Sequence, residues 1–204
     1  MEELLKSEKD AEKLIKRAIA LHALSIENQY LKELFKYNEI DELNYRVLAG
    51  KIKRQKERLE AGLSQFKNND TSSDEKNIFE KFMEKSFDRN SPENTYIRNR
   101  ARMIILRKTI EDLKKLADID FHFDKKYFDE IIQLYEKLLQ QAQQKVNDIL
   151  NKYKATIMSL ETKLSEKTLL KLEDSVIKEL FEKEIITPKL YHKFMEEIQE
   201  EIYR

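Results

Sequence analysis

An all-α fold, an elongated helical bundle with a long coiled-coil helix and two helix–turn–helix hairpins, is what this sequence predicts. Three observations predict it. The chain has only 2 Gly and 2 Pro in 204 residues, too little punctuation for a sheet protein or a Gly-rich phosphate loop. Apolar residues recur at intervals of three and four almost everywhere, the spacing of helices buried along one stripe. A fifteen-residue pattern occurs twice, 146 positions apart.

Leu14, Ala18, Leu21, Leu24, Leu31 and Leu34 lie on one such stripe, so Leu4 to Tyr37 reads as one long helix. A second, from Glu42 to Leu63, uses Tyr45, Leu48, Ile52 and Leu59. With the residues ahead of it this forms the first unit, 1–66. Lys67–Asn77 has no apolar residue and is rich in Asn, Asp and Ser, which bond their own backbone and favour turns; 67–77 reads as a mobile linker. In 78–123, Phe79, Phe82, Met83 and Phe87 mark a short helix, and Ser91-Pro92 restarts the chain, with Ser as cap and Pro at the first helical position. That helix runs to about Leu116, followed by a connector over 118–124.

The last unit, 124–204, opens with the most regular stretch. Phe128, Ile132, Tyr135, Leu139, Ala142, Val146, Ile149, Tyr153, Ile157, Leu160 and Leu164 alternate steps of four and three, with one extra four at Tyr153. This is a coiled-coil seam whose supercoil relaxes at the irregular step. Continuous helix over it is a rod of about 60 Å, which must lie against another helix or another copy. At Ser165 the sequence permits either a new helix or an uninterrupted one.

Leu31–Tyr45 reads LKELFKYNEIDELNY and Ile177–Tyr191 reads IKELFEKEIITPKLY. Asp41 and Thr187 occupy cap positions, and Pro188 fits the first helical position. Ile40 and Ile186 precede the caps, and Tyr45 and Tyr191 stand four helical residues in. Each pair has the placement of a hydrophobic staple, which sets the angle at which the second helix leaves the turn. Leu48 and Ile52 continue onto Phe194 and Ile198.

Ala20–Glu60, and a second similar copy over Val176–Tyr203, resemble the cytoplasmic C-terminal region of bacterial sodium/proton antiporters of the monovalent cation:proton exchanger family. The shared pattern is helix, short turn, Ile, cap, then Tyr-x-x-Leu-x-x-x-Ile. The resemblance covers about a third of the chain. It implies a regulatory or assembly tail on the cytoplasmic side of the cell membrane, joined to the membrane transport domain of the same polypeptide and acting as a homodimer. The family's transport residues belong to membrane helices, so none carries over. The family pattern has Gly ahead of the turn's Ile, where this chain has Asn38 and Lys183–Glu184; Asn tolerates left-handed backbone, while Lys or Glu does so less readily.

Charged residues are 38% of the chain, yet 39 basic and 39 acidic side chains cancel. That balance argues against a nucleic-acid partner, which calls for clustered positive charge. The absence of Cys rules out disulfides and thiolate metal sites. Met103–Leu106 is the longest aliphatic run, short of the roughly 20 residues of a membrane span, and the charged start, Met1–Asp10, is unlike a signal peptide. None of His22, His122 and His192 completes a Glu-x-x-His metal pair; His192, beside Tyr191, is the candidate pH switch. No nucleophile or acid–base constellation stands out, so no enzyme, cofactor or metal is expected. Two charged faces are candidate interaction sites: Lys51, Lys53, Arg54, Lys56 and Arg58 after the first turn, and Glu196, Glu197, Glu200 and Glu201 after the second. Opposite charge on equivalent helices favours their pairing, within the chain or across a two-fold axis. Basic residues here and at Arg98, Arg100, Arg102, Arg107 and Lys108 also suit an anionic membrane surface. The alternative class is a free-standing helical scaffold that binds partners through its coiled-coil seam.

Overall fold

Most of the apolar stripes that the periodicity marks are buried, up to about Leu164, beyond which Leu169, Leu172 and Val176 are exposed. A computed structural model describes residues 2–61, 91–119 and 124–202. Among them are α1 (Glu2–Lys36), α2 (Glu42–Glu60), α3 (Pro92–Ile119), α4 (Lys125–Lys152), α5 (Lys154–Glu182) and α6 (Pro188–Ile202), and no strand. The linker read over 67–77, the short helix at Phe79–Phe87 and the connector residues Phe121, His122 and Phe123 lie outside the described residues. No described helix is long and apolar enough to cross a membrane.

Two apolar clusters hold the bundle together. In the first, Ile19, Ala20, Ala23 and Ile26 of α1 meet Leu106, Ile110 and Leu113 of α3 and the α4 stripe from Phe128 to Ala142. Tyr135 and Phe128 are its largest fully buried side chains. The α4 seam is thus covered from within the chain, by α1 and α3. In the second cluster, α1 and α2 close as a hairpin over α3: Leu24, Leu31, Leu34, Ile40, Leu48 and Ile52 pack on Ile97, Ala101 and Ile105. These clusters draw on all three of the sequence units 1–66, 78–123 and 124–204.

Local sequence sets the helix starts. The Ser91 hydroxyl accepts from the Asn94 amide at 3.1 Å, so the Ser-Pro restart is a true cap with Pro92 as the first residue of α3. Asp124, in extended backbone, caps α4 by accepting from Lys126 N at 3.0 Å.

The single long helix expected from Asp124 to Leu164 is instead two, broken at Tyr153, where φ is −129° and ψ 38°. The extra step of four falls here. The extra step of four carries the apolar stripe ~40° past a full turn, a shift that supercoils absorb by local unwinding; here the backbone breaks and re-aims instead. Ile157 becomes fully buried beside Val146 and Tyr96, and Leu160 and Leu164 pack on the second cluster. α5 then runs through Ser165 uninterrupted to Glu182. Beyond this point it carries α6, which touches only α5 among the described elements.

Candidate functional site

The two bends repeat in backbone geometry as well as in sequence. α1 ends with Asn38 at φ 57° and α5 with Glu184 at φ 56°, residues 146 apart. In the first bend Asn38 N donates to Phe35 O at 3.1 Å and Glu39 N to Leu34 O at 2.9 Å. In the second, Glu184 N donates to Phe181 O at 3.0 Å and Ile185 N to Leu180 O at 2.9 Å. These are the paired bonds of a Schellman C-cap, which satisfies carbonyls the helix end leaves free. The next helix starts alike in both. Asp41 accepts from Asn44 N at 2.8 Å, and Thr187 Oγ1 stands 3.4 Å from Leu190 N.

Each tyrosine lies flat on a phenylalanine across the bend. Phe35 and Tyr45 stack with ring centroids 4.6 Å apart, and Phe181 and Tyr191 with centroids 4.4 Å apart. Tyr45 also packs against the cluster that contains the buried Ile40, whereas Ile186 and Tyr191 are half-buried. Both phenylalanines fall in the Glu-Leu-Phe match at 33–35 and 179–181, but spacing alone does not say which face of a ring is covered.

The hairpins differ in what covers them. In α1–α2 the apolar groove is filled by α3, leaving Leu24 1%, Leu31 0% and Ile40 2% exposed. Asn44, fully buried, ties the hairpin to that helix, donating from Nδ2 to Asn94 Oδ1 at 2.9 Å and to Asp41 Oδ2 at 2.7 Å. In α5–α6 no described helix takes the place of α3. Leu169, Leu172, Val176, Phe181, Ile185 and Leu190 are exposed. A groove of about 200 Å³ opens between the two helices, lined by Glu173, Ile177, Phe194, Glu197, Ile198 and Glu201.

The two charged faces are not brought together, since α2 touches α1 and α3 while α6 touches α5. Lys51, Lys53, Arg54 and Lys56 are exposed and Arg58 half-buried. Lys53 and Lys56 stand 3.8 Å from Glu57 and Glu60 of their own helix. Glu196, Glu197, Glu200 and Glu201 are exposed, with Glu197 3.7 Å from Lys193. Arg100 belongs to the bundle, bridging Glu39 at 3.2 Å and Glu161 at 3.0 Å. His192 is exposed, its ring edge-on to Tyr191 at 5.6 Å.

A titratable pair joins α1 and α4 inside the bundle. Glu27 of α1 is half-buried and accepts a 2.5 Å hydrogen bond from the Tyr135 hydroxyl of α4. Burial pushes its carboxyl up to about 7, against the hydrogen bond and the nearby Arg102 guanidinium of α3, which favour the charged form. The same burial and the facing carboxylate hold the Tyr135 phenol well above its usual value. The sequence signal was an acid on the apolar stripe, four residues from both Ala23 and Leu31. Among the described residues no group of three His, Cys, Asp or Glu side chains is placed to hold a metal ion.

No protein-family model, curated protein or solved structure matches this chain.

Proposed function

We propose that this chain is a non-catalytic regulatory or assembly domain of a sodium (cation)/proton antiporter, on the cytoplasmic side of the membrane and joined to the transport domain of the same polypeptide. The observation that carries the reading is the duplicated bend. The pattern behind the family resemblance folds twice into the same Schellman turn and the same Phe–Tyr stack. One copy is built into the bundle, and the other extends from it with an apolar face uncovered, as an assembly element requires. α2 and α6 do not meet within the chain, so charge pairing between them joins two copies, and homodimerisation is part of the proposal. Contact of α2 with anionic headgroups is part of the same proposal, supported by the exposure of Lys51, Lys53, Arg54 and Lys56.

The alternative, a free-standing scaffold that recruits proteins through its coiled-coil seam, has less support. Phe128, Ile132, Tyr135, Ala142 and Val146 are buried in the chain's own core, so the most regular part of that seam is largely taken. The test is the reading frame upstream of Met1. A succession of apolar segments, each about 20 residues long, supports the antiporter tail, and a start codon with its own ribosome site directly at Met1 overturns it.

A further inference from the structure

We propose that the groove between α5 and α6 binds a basic amphipathic helix of a partner protein, seated as α3 is seated on α1–α2. This goes beyond the homodimer above, whose α2 has Leu48 and Ile52 buried in its own bundle and so meets α6 through charge alone, leaving the apolar groove to another helix; the groove itself is argued from geometry.

Six residues of the first hairpin bury themselves on α3: Leu24, Leu31, Leu34, Ile40, Leu48 and Ile52. Shifted by 146, they become Leu170, Ile177, Leu180, Ile186, Phe194 and Ile198, apolar at all six positions. The bend that sets the angle between the two helices is the same in both copies. The same turn and apolar residues at all six positions make a comparable seat, yet α6 touches no described element except α5. In the first hairpin the seat is taken by one helix, through Ile97, Ala101 and Ile105 at intervals of four. The occupant of the second therefore carries small or branched apolar residues at that spacing.

Charge decides between candidate occupants. The second groove is rimmed by Glu173, Glu197 and Glu201, and Glu196 and Glu200 extend the acidic surface along α6. The positions matching Glu197 and Glu200 in α2 are Lys51 and Arg54, so acids here replace bases. Two such grooves facing each other would oppose acid with acid, which disfavours a second copy's α5–α6 hairpin as the occupant. A helix with Lys or Arg flanking its apolar stripe meets the rim with opposite charge.

The probe is a fluorescent peptide of this chain's residues 92–110, which carries the α3 stripe together with Arg98, Arg100, Arg102, Arg107 and Lys108. It is titrated with the full chain at a concentration where light scattering gives a monomer. Binding is expected with a dissociation constant on the order of 10 µM. The triple variant Glu173→Lys, Glu197→Lys, Glu201→Lys alters exposed rim residues only, and is expected to weaken binding about tenfold at low salt. A peptide carrying Ile97→Asn and Ile105→Asn is expected not to bind. Absence of binding by the parent peptide overturns the proposal. So does unchanged affinity for the triple-lysine chain with unaltered circular dichroism, because the peptide then enters elsewhere, for instance by exchange with α3. A dimer that Phe194→Glu dissociates, formed by a chain that ignores the peptide, overturns it in favour of a second copy. None of these results bears on the upstream reading frame, so the antiporter reading and the groove fail separately.

Discussion

Asn38 and Glu184, 146 residues apart, take the same left-handed backbone conformation, with φ 57° and 56°. Asn enters this region at little cost because its short side chain bonds locally, whereas a glutamate there carries a Cβ crowded against the following carbonyl. The second bend is therefore made by a residue that resists it, and is held by the Schellman bonds and the ring stack around it.

Glu184→Gly removes that crowding and is expected to stabilise the chain by about 1 kcal/mol, the left-handed penalty less the extra freedom glycine has when unfolded. Asn38→Gly is expected to stay within about 0.5 kcal/mol of the parent. Urea unfolding of both variants checks the pair, and a lower midpoint for Glu184→Gly would contradict a strained second bend.

The ring stacks carry coupling beyond their burial. A double-mutant cycle between Phe35 and Tyr45, each changed to Leu, is expected to return about 0.5–1.5 kcal/mol of interaction energy, and the same cycle at Phe181 and Tyr191 a similar value. Additive losses at both bends would show that the stacked rings only fill space.

Glu27 makes stability depend on pH in a defined direction. Its folded-state value, about 7, lies above the ordinary 4.5 of a glutamate, so the folded chain holds this proton more tightly than the unfolded one. The resulting stability is complete below about pH 4.5 and is lost as pH rises through about 7. Compared with Glu27→Gln, the parent is expected to lose roughly 1–2 kcal/mol between pH 5 and pH 8, after discounting for the part of the side chain that faces water. Tyr135→Phe deletes a hydrogen bond that favours the carboxylate, so the midpoint of this loss moves to higher pH. Thermal unfolding of the three proteins across this range is the measurement, and parallel profiles would remove the role assigned to Glu27.

Charge pairing between copies is expected to be weak and sensitive to salt. Changing Glu196, Glu197, Glu200 and Glu201 to Lys places cations opposite the exposed Lys51, Lys53, Arg54 and Lys56 of a second molecule. Self-association should weaken at low ionic strength and differ little from the parent at high salt, where exposed charges are screened. Sedimentation of parent and variant at two salt concentrations decides this, and identical behaviour at low salt removes the pairing.

Much of the local structure was legible from residue types. Asp41, Ser91 and Asp124 are short polar side chains directly ahead of apolar periodicity, and each accepts an amide hydrogen bond at its helix start. The extra step of four at Tyr153 located the irregularity correctly but not its form. A stripe that shifts permits either a relaxed supercoil or a broken helix, and the choice depends on what lies alongside. Here Ile157 has a fully buried seat beside Tyr96 and Val146, and the backbone breaks to reach it.

By itself the sequence determined that the chain is helical, where its bends fall, and that the same bend is made twice. Each follows from interactions within a few residues: three-and-four spacing, caps and the αL position. Only the tertiary structure decided that α3 fills the first hairpin and leaves the second open, that α4 turns its seam inward, and that Glu27 meets Tyr135 across 108 positions. Periodicity shows that a stripe will be buried but carries no record of its partner, because any apolar surface of matching shape removes the same area from water.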